Sequence, residues 1–356
     1  MKVIAYPADT GGCGSYRIIW PGTALANQGA DVEVVMPDDP AERQLLAAYD
    51  DDPVTGRRIV HDVKAPECDV VVIQRPLTSH NADAVELLQA KGVRVVVEID
   101  DDFEHISRRN VSYRAIDPNV SPNRNRKHLM RACAAADLVT VSTPALAAVY
   151  APHGRVAILP NYVPAGFLAI EREPRDGVFV GWSGSIETHP DDLQQCGRRV
   201  ARVVAKTGAT FAVIGTGRGV KRALSLNDAP TACGWRPIEE YPHAVAQLDV
   251  GIVPLERSAF NEAKSWLKGL EMAALGVPFV ATPTDEYRRL SRMGAGLLAE
   301  KQHHWEGAVK RLIVDEAWRV EVAERGRDTA RGLTIGQHCE RWWDAWRAVV
   351  NTRCAV

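Results

Sequence analysis

The chain has 356 residues, 46% hydrophobic and 25% charged, which is the make-up of a globular protein long enough for two domains. Its formal net charge of −2 excludes a global basic field for holding nucleic acid or an anionic membrane. The 7 cysteines contain no CxxC pair and fit a reducing cytoplasm, and no run approaches the ~20 apolar residues of a membrane span.

Strand-like apolar runs alternate with helical patterns from end to end. Residues 2–6 predict a strand, followed by a glycine-rich turn and a helical pattern to about Gln28. A strand at 31–36 and a helix at 41–49 come next. Strands at 69–74 and 94–99 then flank a helix at 82–91. Strands at 138–142 and 156–159 are separated by a short helix from Pro144. Strands that are continuously apolar, rather than alternating, indicate a parallel sheet covered on both faces, the doubly wound α/β pattern.

The pattern breaks at Pro160-Asn161-Tyr162-Val163-Pro164, and a polar stretch at 171–176 follows. A domain boundary is expected at about 165–175. Alternation then resumes with a strand at 178–182, a helix at 191–206, a strand at 210–214, a helix ending near Ala246 and a strand at 250–253. From Phe260 a helix is expected to run to Gly276-Val277-Pro278, with a buried strand at 279–281 beyond it. The last helix, 335–350, carries Trp342, Trp343 and Trp346, with packing the expected role for the first and third. The stretch 108–127 is rich in arginine and reads as a long loop, functional or mobile.

Four constellations are placed where ligands bind in such sheets, beyond the carboxyl ends of strands. The first turn, Asp9-Thr10-Gly11-Gly12-Cys13-Gly14, lets backbone N–H groups approach a phosphate, but matches neither the dinucleotide fingerprint nor a Walker loop. The turn holding Ser183, Gly184, Ser185 and His189 offers small residues and hydroxyls to phosphate oxygens. The run Glu98-Ile99-Asp100-Asp101-Asp102-Phe103-Glu104 suits a divalent cation or the orientation of a hydroxyl. Read as one helix, the segment from Phe260 puts Lys264, Lys268 and Glu271 on a single face, suited to anionic phosphates and a ribose.

With these residues in place, the chain resembles the GT-B glycosyltransferases, and among them the retaining family 4, or glycosyl transferase group 1. The most specific parts are 178–193, 235–255 and 260–282. Leu270-Glu271-Met272-Ala273-Ala274-Leu275-Gly276-Val277-Pro278 is similar to the family's LEAMA-G-P signature. Asn161 sits in a segment similar to the interdomain PNGVD element, and Asp249-Val250-Gly251-Ile252-Val253-Pro254-Leu255 resembles the strand leading to the donor site.

The resemblance implies two Rossmann-like domains facing a cleft, with a C-terminal helix crossing back to the first. Residues 1–168 would form the acceptor side, 169–334 the donor domain, and 335–356 the returning helix. The implied activity is transfer of a hexose or pentose from a nucleotide-sugar donor to a hydroxyl acceptor, with retention of configuration. Asp100, Lys264 and Glu271 are the implied catalytic residues. The implied donor-binding residues are Gly12, Gly14, Ser183, Gly184, Ser185, His189, Lys264, Ser265, Lys268 and Glu271. Glu271 would bind the donor ribose, Lys264 would neutralise the diphosphate with support from Lys268, and Asp100 would position the acceptor. No metal or cofactor is required if Lys264 carries the charge; a divalent cation at Asp100, Asp101 and Asp102 is the less favoured alternative. The acceptor stays open between a glycan, a lipid, a protein and a modified DNA base. Three departures from the family stand out. The glutamate expected eight positions before Glu271 is replaced by Ala263, with Glu262 one residue away; the usual basic pair after the first strand of the second domain gives way to Ser183, Ser185 and His189; and the usual histidine after the fourth or fifth strand is replaced within residues 98–102, where Asp100 is the best match. The resulting pattern looks like a branch found in bacterial and phage sets. A nucleotide-sugar epimerase on the same fold and a non-catalytic nucleotide-sugar binding protein are the competing readings.

Overall fold

The computed structural model describes residues 1–36, 45–54, 56, 58–64, 66–117, 119–121 and 123–351. It divides into two units. The first comprises Met1–Arg108, Ser112–Asn161 and Ile335–Val356, and the second comprises Arg109–Val111 and Tyr162–Thr334.

The first unit is built on a six-stranded parallel sheet ordered β2-β1-β5-β6-β7-β8. The strands are β1 (Lys2–Tyr6), β2 (Asp31–Val34), β5 (Val70–Gln74), β6 (Arg94–Ile99), β7 (Leu138–Val141) and β8 (Val156–Ile158). Every residue of β5 and β7 is buried, as covering on both faces demands. The chain moves outward from β1 to β2 and then returns to the other side of β1 with β5, so the strand order reverses between β1 and β5. That reversal leaves a crevice at the carboxyl ends of these two strands.

Beside this sheet lies an antiparallel hairpin, β3 (Leu46–Asp51) with β4 (Arg58–Val63). It overturns the helix expected at 41–49 for Leu46 to Tyr49; residues 41–44 lie outside the described residues. Cross-strand pairing outweighs the helix preference of Leu-Ala-Ala there. Leu46 and Val63 pair and are buried, Arg58 pairs with Asp51 at 3.2 Å, and the Arg58 guanidinium lies over the Tyr49 ring.

The C-terminal helix Glu340–Asn351 also belongs to the first unit. Trp342 and Trp346 are fully buried, and Trp342 Nε1 donates to the Arg17 carbonyl at 2.9 Å. The stretch 108–127 is less irregular than its composition suggests. It contains the short helix Tyr113–Ile116 and the first turn of the helix Asn125–Ala135.

The second unit repeats the plan with a six-stranded parallel sheet ordered β11-β10-β9-β12-β13-β14. Its strands are β9 (Phe179–Ser183), β10 (Thr210–Ile214), β11 (Thr231–Ala232), β12 (Val250–Val253), β13 (Phe279–Ala281) and β14 (Leu297–Leu298). The order reverses between β9 and β12. At Gly181, mid-strand, an added Cβ would stand 2.2 Å from the Leu248 side chain, so the packing of Leu248 on the sheet favours a glycine there. Among the described residues, no helix is long and apolar enough to cross a membrane.

Candidate functional site

In the second unit the turn after β9 and the segment after β12 leave the sheet on either side of the strand reversal, where an open α/β sheet binds ligands. Gly184 continues from β9, and its N–H donates to the Ile214 carbonyl at 3.1 Å. A Cβ on Gly215 would lie 2.2 Å from the Gly184 carbonyl oxygen, so the ends of β9 and β10 approach backbone to backbone. Gly215 has φ 146°, which adds a conformational reason for glycine.

His189 is the centre of this turn. Its Nδ1 lies 2.8 Å from Asp192 Oδ2; an ionised carboxylate only accepts, so Nδ1 carries the proton. Its Nε2 then offers a lone pair towards Lys268 Nζ, 3.5 Å away. Asp192 is itself buried and further fixed at Oδ1 by Asn261 Nδ2 at 2.7 Å and by the Glu256 N–H at 2.9 Å. The residues after β9 and after β12 are therefore tied through one carboxylate. Burial, joined by the Lys268 and Lys264 ammonium groups, pulls the His189 pKa down to about 4 against the opposing pull of Asp192. The imidazole is neutral at pH 7. Burial pushes the Asp192 carboxyl up, but His189, the Glu256 N–H and the Lys268 charge together hold it below the usual carboxylate range.

A second chain of hydrogen bonds reaches Glu271. Ser183 Oγ and Tyr241 OH are 2.8 Å apart, and Tyr241 OH donates to Glu271 Oε2 at 3.0 Å. Because the phenol donates to the carboxylate, the serine hydroxyl donates to the phenol. Burial first and the Glu271 charge second push the Tyr241 pKa far up, so the phenol keeps its proton. Ser183 and Glu271 are both buried.

The helix expected to run from Phe260 is interrupted. Ala259–Glu262 forms one short helix capped by Ser258 Oγ, and Leu267–Ala274 forms another. Lys264 and Ser265 lie in the gap, so Lys264, Lys268 and Glu271 do not share one helix face. The gap seats Trp266, which is buried beneath the Arg289 guanidinium. Ser265 Oγ accepts from the Leu267 N–H at 3.4 Å and so starts the second helix. Lys264 Nζ stands 4.2 Å from the Phe260 ring centroid. Glu262 is exposed; burial and the neighbouring Asp285 carboxylate push its pKa up, and Arg257 and Arg288 oppose them. Ser185 Oγ donates to Glu187, whose carboxyl is held down by that bond.

The remaining expected residues, Gly12, Gly14 and Asp100, belong to the first unit. An added Cβ on Gly14 would stand 1.7 Å from the Asp9 carbonyl oxygen, so the turn itself demands glycine there. Gly12 has nothing within 4 Å of the same position. Asp9 Oδ1 accepts from the N–H groups of Gly11 and Gly14 at 2.9 and 3.1 Å. From the end of β5, Gln74 braces the turn by accepting from the Ala8 N–H at 2.9 Å and donating to the Cys13 carbonyl at 3.0 Å.

Asp100 lies beyond β6, where Arg75 Nε donates to it at 2.6 Å. Burial pushes the Asp100 carboxyl up, but Arg75, joined by Cys13 and Arg17, leaves the pKa below the usual range. Arg75 takes φ 50°, a left-handed conformation that costs a non-glycine residue about 1 kcal/mol or more, and its Nη2 also lies 2.9 Å from Cys13 Sγ. The other acids of the run have separate partners. Glu98 pairs with Arg17 at 2.7 Å, Asp102 accepts from the Glu104 and His105 N–H groups, and Glu104 meets His153 at 2.9 Å. Among the described residues, no group of three or more His, Cys, Asp or Glu is arranged to hold a metal ion.

Sequence reasoning missed Asp192, Asn261, Tyr241 and Arg17. Asp192 carried a visible signal, since it follows His189 by three residues. Tyr241 and Asn261 are distant in sequence from the residues they hold.

Comparison with known proteins places this geometry in context. Residues 177–315 match the family model described as Glycosyl transferases group 1. Curated proteins give no significant match. Among solved structures, sucrose-phosphate synthase from Thermosynechococcus elongatus is similar with a TM-score of 0.62 at 15% identity, over 99% of this chain and 100% of that one. HepE from Anabaena, in complex with UDP and glucose, is similar with a TM-score of 0.64 at 13% identity, over 98% and 100%. WaaG, a glycosyltransferase involved in lipopolysaccharide biosynthesis, is similar with a TM-score of 0.61 at 13% identity, over 97% and 99%. The chain has the GT-B glycosyltransferase fold, and its residues 177–315 carry the sequence pattern of the glycosyl transferases group 1.

Proposed function

We propose that the protein transfers a sugar from a nucleotide-diphosphate donor to a hydroxyl acceptor with retention of configuration, the second unit taking the donor and the first the acceptor. The observation that carries this reading is the set His189, Lys268, Ser183 and Glu271 on elements around the strand reversal between β9 and β12. Two kinds of group stand there. Lys268, with Lys264 nearby in sequence, supplies positive charge for a diphosphate, and Glu271 supplies a carboxylate held in one orientation by Tyr241. The main chemical demand of the reaction is to stabilise the departing diphosphate, which fixed cations do electrostatically. Lys264, Lys268, His189 and Ser185 form this leaving-group set, and Glu271 receives the ribose hydroxyls. In the first unit Gly12 leaves open space beside its turn, and Asp100, fixed by Arg75, orients the acceptor hydroxyl. HepE, similar in fold, has been solved with UDP-glucose, which makes a UDP-sugar the first donor to test.

The test is a donor screen with UDP, GDP, ADP and dTDP sugars, read by thermal shift and by mass spectrometry of the products. One of these donors is expected to bind and to lose its sugar, and Lys264→Ala and Glu271→Ala are expected to weaken its binding at least tenfold. No binding by any donor, or unchanged affinity in both variants, would overturn the reading. Epimerisation of the donor without transfer would favour the isomerase alternative, and binding without turnover a binding protein.

A further inference from the structure

The arrangement around His189 has a feature that a plain cationic phosphate site lacks. The residue facing Lys268 is an imidazole with its proton on the far side, bound to Asp192. Its inward nitrogen is therefore a lone pair, and a lone pair repels a phosphate oxygen. Charged groups face it from several elements. Lys268 faces it from the helix Leu267–Ala274, and Lys264 acts from the gap before that helix. Asp192, from the same turn, backs the ring. Glu256, beyond β12, lies near Asp191 and Asp192, and Arg109 pairs with Asp191. The two ammonium groups disfavour a cation at His189, while Asp192 stands ready to support one.

We infer that His189 takes up a proton when the donor diphosphate binds, changing from a neutral imidazole to an imidazolium clasped between Asp192 and a phosphate oxygen. Asp192 is the positioning residue of this device. The proton comes from solvent and adds to Nε2; one N–H bond forms and no other bond changes. The diphosphate supplies the negative charge that offsets Lys268 and Lys264, so the protonated ring becomes the stable form only in the complex. Without ligand the ring stays neutral, which spares the empty site a third crowded cation. The inference rests on the reading of this turn as the diphosphate subsite.

The linkage sets a sign. A group that binds a proton more tightly in the complex makes binding stronger as pH falls. Nucleotide-sugar affinity is expected to weaken by up to about tenfold per pH unit as pH rises from the pKa of the free protein's imidazole, about 4, towards that of the complex, and to level off above it. The diphosphate of a nucleotide sugar is a diester without a titration of its own near neutrality, so the protein is the source of the effect.

The experiment is isothermal titration of the wild-type protein with UDP-glucose, GDP-mannose, ADP-glucose and dTDP-glucose at pH 7, in PIPES and again in Tris. These buffers differ widely in ionisation enthalpy. For the donor that binds, the two heats are expected to differ by an amount equal to on the order of one proton taken up per nucleotide sugar. In His189→Gln binding is expected to persist, weakened, with the buffer dependence gone. In Asp192→Asn, which keeps a polar partner but removes the charge, uptake at pH 7 is expected to fall. In Glu256→Gln, the control for a neighbouring acid after β12 whose pKa is also raised, uptake is expected to remain. Binding with identical heats in both buffers, or uptake that survives in His189→Gln, would overturn the inference while leaving the donor reading intact. Failure of all four donors to bind would overturn both.

Discussion

Arg17 Nε donates to Glu98 Oε1 at 2.7 Å, and both side chains are 1% exposed. Around this pair the first unit is pinned. Arg17 Nη1 also donates to the Leu159 carbonyl at 2.5 Å and to Asn161 Oδ1 at 2.8 Å, and its guanidinium lies 5.3 Å from the Trp342 ring centroid. Thr140 donates to the other oxygen of Glu98. One arginine thus holds the end of β6, the segment where the chain leaves the unit and the helix with which it returns. Breaking one half of a buried pair strands the other charge, at a cost of roughly 3–5 kcal/mol. Arg17→Met is expected to lower the unfolding free energy from urea titration by that amount, and Arg17→Met with Glu98→Leu to recover much of it. A single variant with wild-type stability would contradict the account.

The hydrogen bond from Tyr241 to Glu271 gives a narrower prediction. Tyr241→Phe removes only the hydroxyl, and with it the donor to Glu271 Oε2 and the acceptor of Ser183 Oγ. A stability loss of about 1–3 kcal/mol is expected from the loss of these buried hydrogen bonds. Nucleotide affinity is expected to drop several-fold, because the phenol no longer fixes the carboxylate proposed to bind the ribose. Titration calorimetry on the variant checks it; an unaltered affinity would mean that the phenol does not orient the carboxylate.

For pH dependence the sign follows from His189. Its folded pKa of about 4 lies below its ordinary 6.5. Between those values the unfolded chain binds a proton that the folded chain refuses, so stability falls as pH drops from about 6.5 to about 4 and loses no more from this source below that. The full contribution is on the order of 3 kcal/mol. His189→Gln is expected to flatten this part of the curve, measured as urea midpoints at half-unit pH steps. Parallel curves for the two proteins would show that the ring is not buried as a neutral group.

The two glycines of the first turn are expected to behave oppositely. Gly14→Ala drives a methyl group into the Asp9 carbonyl and should destabilise the unit by about 2 kcal/mol or more. Gly12→Ala meets nothing and should keep the wild-type melting temperature while reducing sugar transfer. A thermal melt of each variant and an assay of Gly12→Ala with the identified donor separate folding from function. Full activity in Gly12→Ala would remove that residue from the site.

Much of the architecture is legible in the sequence because parallel strands buried on both faces are written as unbroken apolar runs. The runs at 2–6, 94–99, 210–214 and 250–253 coincide with β1, β6, β10 and β12. The hairpin β3–β4 is not legible, since a two-stranded hairpin is fixed by its cross-strand partners rather than by its own periodicity. The site is partly legible. His189 stands out as a polar residue beyond a strand end and Lys268 as a cation in a helical pattern, and the structure does bring them together. What binds them could not be read, because Asp192 is tied to Asn261 across 69 positions and Ser183 to Tyr241 across 58. The helical pattern from Phe260 misled for a local reason. Trp266 is buried with Arg289 stacked on it, and that packing interrupts the helix which the residue spacing suggests.

That interruption bears on how such chains are compared. Along an uninterrupted helix, a shift of one residue turns a side chain by about 100° and ruins a paired motif. Between Glu262 and Glu271 four residues, 263–266, are not helical, so the two short helices are geared separately. Evolution can insert or delete a position there and leave Lys268 and Glu271 unmoved relative to each other. A glutamate pair eight apart in one branch and nine apart in another is then a difference in slack, and patterns written with a rigid spacing will pass over proteins built on this same frame.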